Sequence, residues 1–142
     1  MNTEPVRSWM TETLITITPQ TTLPEAQRIM FEHKIRRLPV MKSDKLVGIV
    51  TLGDIREAKA SDATTLSIYE LNYLMDRLTA KDFMTPNPIT IAPDSTIGEA
   101  ARLMVEKKIG GLPVVDDGKL VGMITETDIC IFVLQVETVA DV

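Results

Sequence analysis

Leu46-Val47-Gly48-Ile49-Val50-Thr51-Leu52-Gly53-Asp54-Ile55 returns 74 positions later as Leu120-Val121-Gly122-Met123-Ile124-Thr125-Glu126-Thr127-Asp128-Ile129. Both copies keep Gly, Thr and Asp in the same places. Each opens as an apolar run rich in β-branched residues, the pattern of a short buried strand, and passes into a Thr-x-x-Asp step that can start a helix. A helix start offers unpaired backbone N–H groups and the positive end of the macrodipole, so this junction suits an anionic or polyhydroxy ligand. The same residues also fit a capping box, in which hydroxyl and carboxylate satisfy each other's backbone N–H. The two roles are compatible, because a short carboxylate at the third helical position can cap and still face a cleft.

Outward from this stretch, every residue from Trp9 to Ile55 pairs without a gap with Phe83 to Ile129, and about half the pairs are identical. Met10-Thr11 returns as Met84-Thr85, Ile15-Thr16-Ile17 as Ile89-Thr90-Ile91, Glu25-Ala26 as Glu99-Ala100, and Leu38-Pro39-Val40 as Leu112-Pro113-Val114. Two long copies do not resemble a solenoid, whose units are shorter and more numerous. The pattern predicts a closed, pseudo-symmetric pair.

Within each copy, Ile15-Thr16-Ile17-Thr18 alternates as a half-buried strand that Pro19 ends. Thr22 with Glu25, and Thr96 with Glu99, have capping-box spacing, and Ala26, Ile29, Met30 or Ala100, Leu103, Met104 form the apolar stripe of the helix that follows. Two short apolar runs, Leu38 to Met41 and Leu46 to Thr51, flank the polar turn Lys42-Ser43-Asp44-Lys45, a hairpin signal. The second copy has Asp116-Asp117-Gly118-Lys119 there, with Gly118 suited to positive φ. Each unit reads strand, helix, strand, strand, helix, which places the chain in the α/β (α+β) class.

Between the copies, Lys59 to Thr65 is polar and reads as a loop. Ser67-Ile68-Tyr69-Glu70 is another capping box, leading into Leu71, Leu74, Met75 and Leu78 at helical spacing. That connector helix either packs on the pair or makes a subunit contact. The expected division is 1–60 for the first repeat, 61–79 for the helical connector and 80–142 for the second repeat with its C-terminal helix.

The chain has 142 residues, enough for folding to bury roughly two-thirds of the unfolded surface. Its apolar fraction of 44% and charged fraction of 25% are those of an ordered globular protein. A net charge of −5 argues against nucleic acid, whose phosphates require clustered Lys and Arg. A single Cys excludes an intrachain disulfide, and with one His it cannot make a protein-only zinc site of Cys and His. The longest apolar run, Ile129 to Leu134, falls far short of the roughly 20 residues that span a bilayer. With no basic-then-apolar leader at the start, the expectation is a cytoplasmic protein that does not engage a membrane.

Taken together, the ordered set of strand, helix, Leu-Pro-Val strand, Gly-(Ile/Met)-(Val/Ile)-Thr strand and Asp-bearing helix, twice over, resembles a tandem pair of cystathionine-β-synthase (CBS) domains, a Bateman module. The likeness covers about residues 5 to 60 and 80 to 136. The connector, Ser67 to Leu78, is similar in style to small bacterial CBS proteins of the acetoin-utilisation type. The resemblance implies two sheets packed about a pseudo-two-fold axis and two clefts for an adenosine-containing ligand such as AMP, ADP, ATP, NAD or S-adenosylmethionine. It implies a regulatory, ligand-sensing module that requires no cofactor, forms a homodimer and acts on a regulated protein that these residues do not identify.

Carried over by position, one cleft joins Thr51 and Asp54, for phosphate and ribose hydroxyls, to Thr85, Pro88 and Thr90 around the base, lined by Ile49, Ile109 and Gly110. The other joins Thr125, Thr127 and Asp128 to Thr11, Leu14 and Thr16, with Met123, Ile35 and Arg36. A carboxylate accepts vicinal hydroxyls, an apolar slot takes a flat base, and helix-start N–H groups with Thr hydroxyls meet phosphate. Arg36-Arg37 becomes Gly110-Gly111 in the second repeat, so the clefts should differ. By family position Arg36 and Arg37 would serve the Asp54 cleft, where an Arg fork suits a phosphate; the alternative is a solvated pair bonded to Glu32 or Glu12.

His33 reads as a dipole-compensating surface residue, Cys130 as a core thiol, the Met residues as core fillers and Trp9 as a packing residue pseudo-symmetric to Phe83. The competing function is a ligand-free structural or dimerisation module. An enzyme is not expected, because no Ser-His-acid set, phosphate loop or carboxylate pair with a plausible base can be assembled.

Overall fold

The structure, a computed structural model, describes residues 3–12, 14–62 and 66–140. Contacts divide the chain into Ile15–Pro88, here the Asp54 unit, and Met1–Leu14 with Ile89–Val142, here the Asp128 unit. The contacts thus divide the chain after Leu14 and after Pro88.

In the Asp54 unit, α1 (Leu23–His33) starts at Thr22, whose hydroxyl accepts the Glu25 N–H at 3.3 Å, and Pro24 occupies the first turn, where a missing N–H costs nothing. It buries Leu23, Ala26 and Met30 and leaves His33 exposed in its last turn. The Ile35 N–H returns to the Met30 carbonyl at 3.0 Å and closes the helix. Strands β1 (Arg37–Lys42) and β2 (Lys45–Thr51) form an antiparallel hairpin in which Val47 is an extra residue, because Val40 pairs with Gly48 and Met41 with Leu46. Helix α2 (Leu52–Asp62) follows β2 directly. It continues through Lys59, Ala60 and Ser61, which polarity alone assigned to a loop; the good helix formers of Arg56-Glu57-Ala58-Lys59-Ala60 carry it on. Ala63, Thr64 and Thr65 of that expected loop lie outside the described residues.

Ser67 caps α3 (Ile68–Arg77), accepting the Glu70 N–H at 3.2 Å. Met75 is buried, and Leu71 and Leu78 pack on the core of this unit, whereas Leu74 is exposed, so only part of the expected apolar stripe of the connector helix faces inward. A cap that the sequence reading passed over, Thr79 N–H to Asp82 at 2.9 Å, opens the single turn α4 (Ala80–Phe83). The chain then forms β3 (Thr85–Pro86), which completes the sheet in the order β1-β2-β3.

The Asp128 unit repeats this plan from two separated pieces. A 3-10 turn, Val6–Ser8, buries Val6, and Arg7 pairs with Asp94. Helix α5 (Ile97–Lys107) starts at Thr96, which accepts the Glu99 N–H at 3.1 Å. Strands β4 (Gly111–Asp116) and β5 (Lys119–Thr125) repeat the hairpin with Val121 as the extra residue, and α6 (Glu126–Ala140) follows without a break. Asp117 and Gly118 both take positive φ, 50° and 79°, in the tight hairpin turn.

The expected first strand of each repeat is reduced to a single parallel bridge, Ile17 with Val40 and Ile91 with Val114. Ile17 donates to Pro39 O at 3.0 Å and accepts from Met41 N at 2.8 Å. In a parallel ladder the next bonds outward would come from the nitrogens of Pro39 and Pro19, and neither carries a hydrogen. Pro113 and Pro93 stop the second copy in the same way. Prolines therefore limit these strands to two hydrogen bonds each.

Each unit has its own core. Leu23, Leu38, Val40, Val50 and Ile55 are fully buried in one, and Val6, Leu112, Val114 and Ile124 in the other. Trp9 meets Phe132 edge-on, with ring centroids 5.1 Å apart, as a packing residue should. Cys130 is exposed rather than a core thiol. Ile129, Phe132 and Val136 occupy the inward face of α6 at helical spacing, and residue 130 falls off that stripe.

Leu38→Ala is expected to lower unfolding stability by about 2–5 kcal/mol, the usual cost of emptying a closed site, whereas Phe31→Ala, at a residue 85% exposed, should stay within about 0.5 kcal/mol. Urea denaturation of the two variants measures both; equal losses would contradict this description of the core.

Candidate functional site

The chain turns from strand to helix at Thr51 and Leu52 with no residue between. The Asp54 carboxylate accepts the Thr51 N–H at 2.8 Å through Oδ2, and the Thr51 hydroxyl accepts the Asp54 N–H at 3.1 Å, a reciprocal cap. The capping reading is thereby realised. It engages one carboxylate oxygen, and an ionised carboxylate has about four acceptor positions, so capacity for a ligand's hydroxyl groups remains. Thr51 and Asp54 are both half-buried, open to a ligand yet held in place.

Arg36 and Arg37 are placed beside this helix start by the backbone. The Leu52 N–H donates to the Arg36 carbonyl at 2.9 Å, and Arg37 is paired across the hairpin with Thr51. Arg36 is exposed and Arg37 half-buried. The ion pair formed by Glu32 is with Arg28, one turn earlier on α1. Helix α2 makes its own i→i−4 bonds only from Ile55 onward, so the N–H of Gly53, an exposed residue, belongs to the unpaired set of the helix start.

The segment after α4 crosses the same strand. Thr85 pairs with Ile49 and Pro86 with Gly48, while Asn87, at φ 50°, donates to the Val47 carbonyl at 3.3 Å. The accepting carbonyl belongs to the extra residue of the hairpin. Thr51, Asp54, Ile49, Thr85, Pro88, Arg36 and Arg37 all belong to the Asp54 unit, with Ile49 buried, Thr85 exposed and Pro88 half-buried. Thr90, Ile109 and Gly110, expected with them, belong to the Asp128 unit.

In the Asp128 unit the Thr125 N–H and hydroxyl both donate to Asp128 Oδ2, at 2.8 and 3.2 Å. The Glu126 N–H donates to the Gly110 carbonyl at 3.0 Å, the counterpart of Leu52 on Arg36, but without the two guanidinium groups. Thr11 is paired with Met123 through two hydrogen bonds of 2.8 and 3.0 Å. Thr125, Thr127, Asp128, Met123, Thr11 and Leu14 share this unit, whereas Thr16, Ile35 and Arg36 belong to the other. Met10, Met84, Gly48 and Gly122 were not among the expected site residues, although their exact repetition 74 positions apart was the available signal. Among the described residues no group of three or more His, Cys, Asp or Glu is placed to hold a metal.

Comparison with known proteins adds five findings. The CBS domain family model matches residues 6–61 and 80–135. The chain is 38% identical over 123 residues to inosine-5'-monophosphate dehydrogenase of Korarchaeum cryptofilum, covering 86% of this chain and 23% of that protein, so it spans less than a quarter of this relative. A CBS domain-containing protein of Dictyostelium discoideum is 35% identical over 133 residues, 92% of each chain. Among solved structures, CBSX2 in complex with AMP superposes with a TM-score of 0.79 at 30% identity, over 94% of this chain and 98% of that one. The CBS domain pair of protein MJ0100, in complex with 5'-methylthioadenosine and S-adenosyl-L-methionine, gives 0.79 at 31% identity, over 92% and 96%.

Asp54→Ala should cost about 0.5–2 kcal/mol through loss of the cap alone, and Asp54→Asn less, because an amide oxygen can still accept the Thr51 N–H. Urea melts without ligand test this; no change in Asp54→Ala would show that the cap contributes nothing to α2.

Proposed function

We propose that this chain, which belongs to the CBS domain family as a tandem pair, is a regulatory module that binds an adenosine-containing ligand. The observation that carries the proposal is the half-buried carboxylate at each strand-to-helix junction, held by its own cap through a single oxygen. Asp54 and Asp128 take ribose hydroxyls. The Thr51 hydroxyl and the first N–H groups of α2 face phosphate, and Thr85 and Pro88 lie along the base. The AMP complex of CBSX2 and the methylthioadenosine and S-adenosylmethionine complex of the MJ0100 pair support this ligand class. The dehydrogenase relative matches over less than a quarter of its length, so its chemistry forms no part of the proposal.

The two junctions differ in charge. Arg36 and Arg37 stand at the Asp54 junction, while Gly110 and Gly111 stand at the Asp128 junction. A phosphorylated nucleotide therefore prefers the Asp54 unit, where guanidinium groups donate charge-assisted bonds.

AMP has about 23 non-hydrogen atoms, and at about 0.3 kcal/mol per atom the gain is about 7 kcal/mol, a dissociation constant on the order of 10 μM. Saturation about a hundredfold above that constant stabilises the fold by about 2.7 kcal/mol and raises the melting point by about 5 to 10 °C. Calorimetry with adenosine, AMP, ATP and S-adenosylmethionine on wild type, Asp54→Ala, Asp128→Ala and Arg37→Ala tests the proposal. Asp54→Ala should weaken AMP about ten- to a hundredfold, because bonds to a charged carboxylate are worth about 1.5–3 kcal/mol. Arg37→Ala should weaken AMP more than adenosine. If no adenine ligand binds wild type below about 1 mM, the ligand-free structural reading replaces this one.

Association into a homodimer is the second part of the proposal. Helix α6 leaves Ile131 43% and Val133 46% exposed beside its buried stripe, apolar surface that a second copy would cover. Light scattering at tens of micromolar should give twice the chain mass; a monomer mass with and without nucleotide would rule the dimer out.

A further inference from the structure

What sets residues 48 and 122 apart is crowding and not backbone conformation, because neither takes a positive φ and a side chain at either would force its neighbours to shift. A Cβ built on Gly48 would stand 2.5 Å from Met84 Sδ, 3.0 Å from Met84 Cγ and 3.1 Å from the Thr85 carbonyl oxygen. A Cβ on Gly122 would stand 2.6 Å from Met10 Sδ, 3.1 Å from Met10 Cγ and 3.0 Å from the Thr11 carbonyl oxygen. The same arrangement occurs once in each unit, built from residues that are not neighbours in sequence. In both, a methionine sulfur occupies the place where a side chain would begin.

We propose that Met84 and Met10 are positioning residues of the ligand site, each seated on a glycine so that the next residue, Thr85 or Thr11, is held in register against the hairpin strand. This rests on the reading of Thr85 and Thr11 as ligand-facing. Strand β3 has only two residues, Thr85 and Pro86, and Pro86 has no N–H to donate, so few backbone bonds hold its register and packing adds to them. A flexible methionine specifies a position poorly unless it is confined. Here it is confined on two sides, because Met84 packs against the core of its unit while its sulfur rests on Gly48, and Met10 does the same with the other core and Gly122. The backbone carrying each threonine is thereby clamped between a core and a bare Cα. Since ligand contacts depend on preorganised placement, loosening the clamp lowers affinity even in a folded protein.

The test is a double-mutant cycle on the full chain, read by calorimetry with AMP well below the melting transition. Met84→Ala and Gly48→Ala should each weaken AMP about tenfold, the scale of coupling between residues in contact. In Gly48→Ala/Met84→Ala the new methyl enters the space the sulfur left, so the loss should stay near tenfold. An additive loss of about a hundredfold would overturn the clamp, since it would show that the residues act independently. Single variants that melt lower but bind AMP as wild type does would also overturn it, leaving both residues a packing role. If Gly48→Ala alone fails to fold, recovery of folding and AMP binding in the double variant supports the clamp, and continued failure refutes it. Absence of AMP binding by wild type overturns the functional reading and this inference together, whereas wild-type binding with unaffected variants overturns this inference alone.

Discussion

The hydrogen bond from the Thr51 N–H to the Asp54 carboxylate, and its twin from Thr125 to Asp128, turns a buried strand into a helix within one residue. Much else follows from that abrupt turn. With no linker to absorb slack, the first helical N–H must find a carbonyl nearby, and it takes that of Arg36 or Gly110. The residues that precede the hairpin are thus tied to the residues that follow it. A loop of even a few residues at the junction would release the carboxylate, the helix start and the residue pair at 36 and 37 from one another.

Two prolines and one glycine per repeat shape the sheet around this junction. Pro39 and Pro19 leave the first strand one bridge long, and Pro113 and Pro93 do the same in the second copy. The outer edge of β1 is consequently covered at one point only, by Ile17. On the other side of the hairpin, the bare Cα of Gly48 lets β3 and Met84 approach more closely than a side chain there would allow without a shift. The backbone ladders are short on both sides, and side-chain packing adds to them. That arrangement leaves Thr85 exposed on a strand held chiefly by its neighbours.

The likeness of the two junctions makes their differences informative, above all the arginine pair. Both have the threonine, the carboxylate and the abrupt helix start, but only one has arginines at its flank. The charge pattern was legible in the sequence; the placement of Arg36 and Arg37 against α2 required the hydrogen bond from Leu52 and the pairing with Thr51.

Local chemistry is what the sequence by itself determined. The 74-residue repeat, the caps at Thr22, Thr96 and Ser67, the hairpins and the Thr-x-x-Asp steps all depend on residues a few positions apart, and spacing reveals them. Errors arose where packing or geometry overrode a local cue. Lys59 to Ser61 looked like a loop because it is polar, yet it extends α2; Cys130 looked buried because its neighbours are apolar, yet it lies off the inward stripe of α6. Only the tertiary structure decided which Met-Thr segment lies on which hairpin. Met10-Thr11 and Met84-Thr85 have the same local sequence, so no propensity or periodicity separates them. Met84-Thr85 packs on β2, ahead of it in the chain, and Met10-Thr11 packs on β5, more than a hundred residues later. In a duplicated sequence each segment meets equivalent local partners in either copy, and chain connectivity and core packing choose between them.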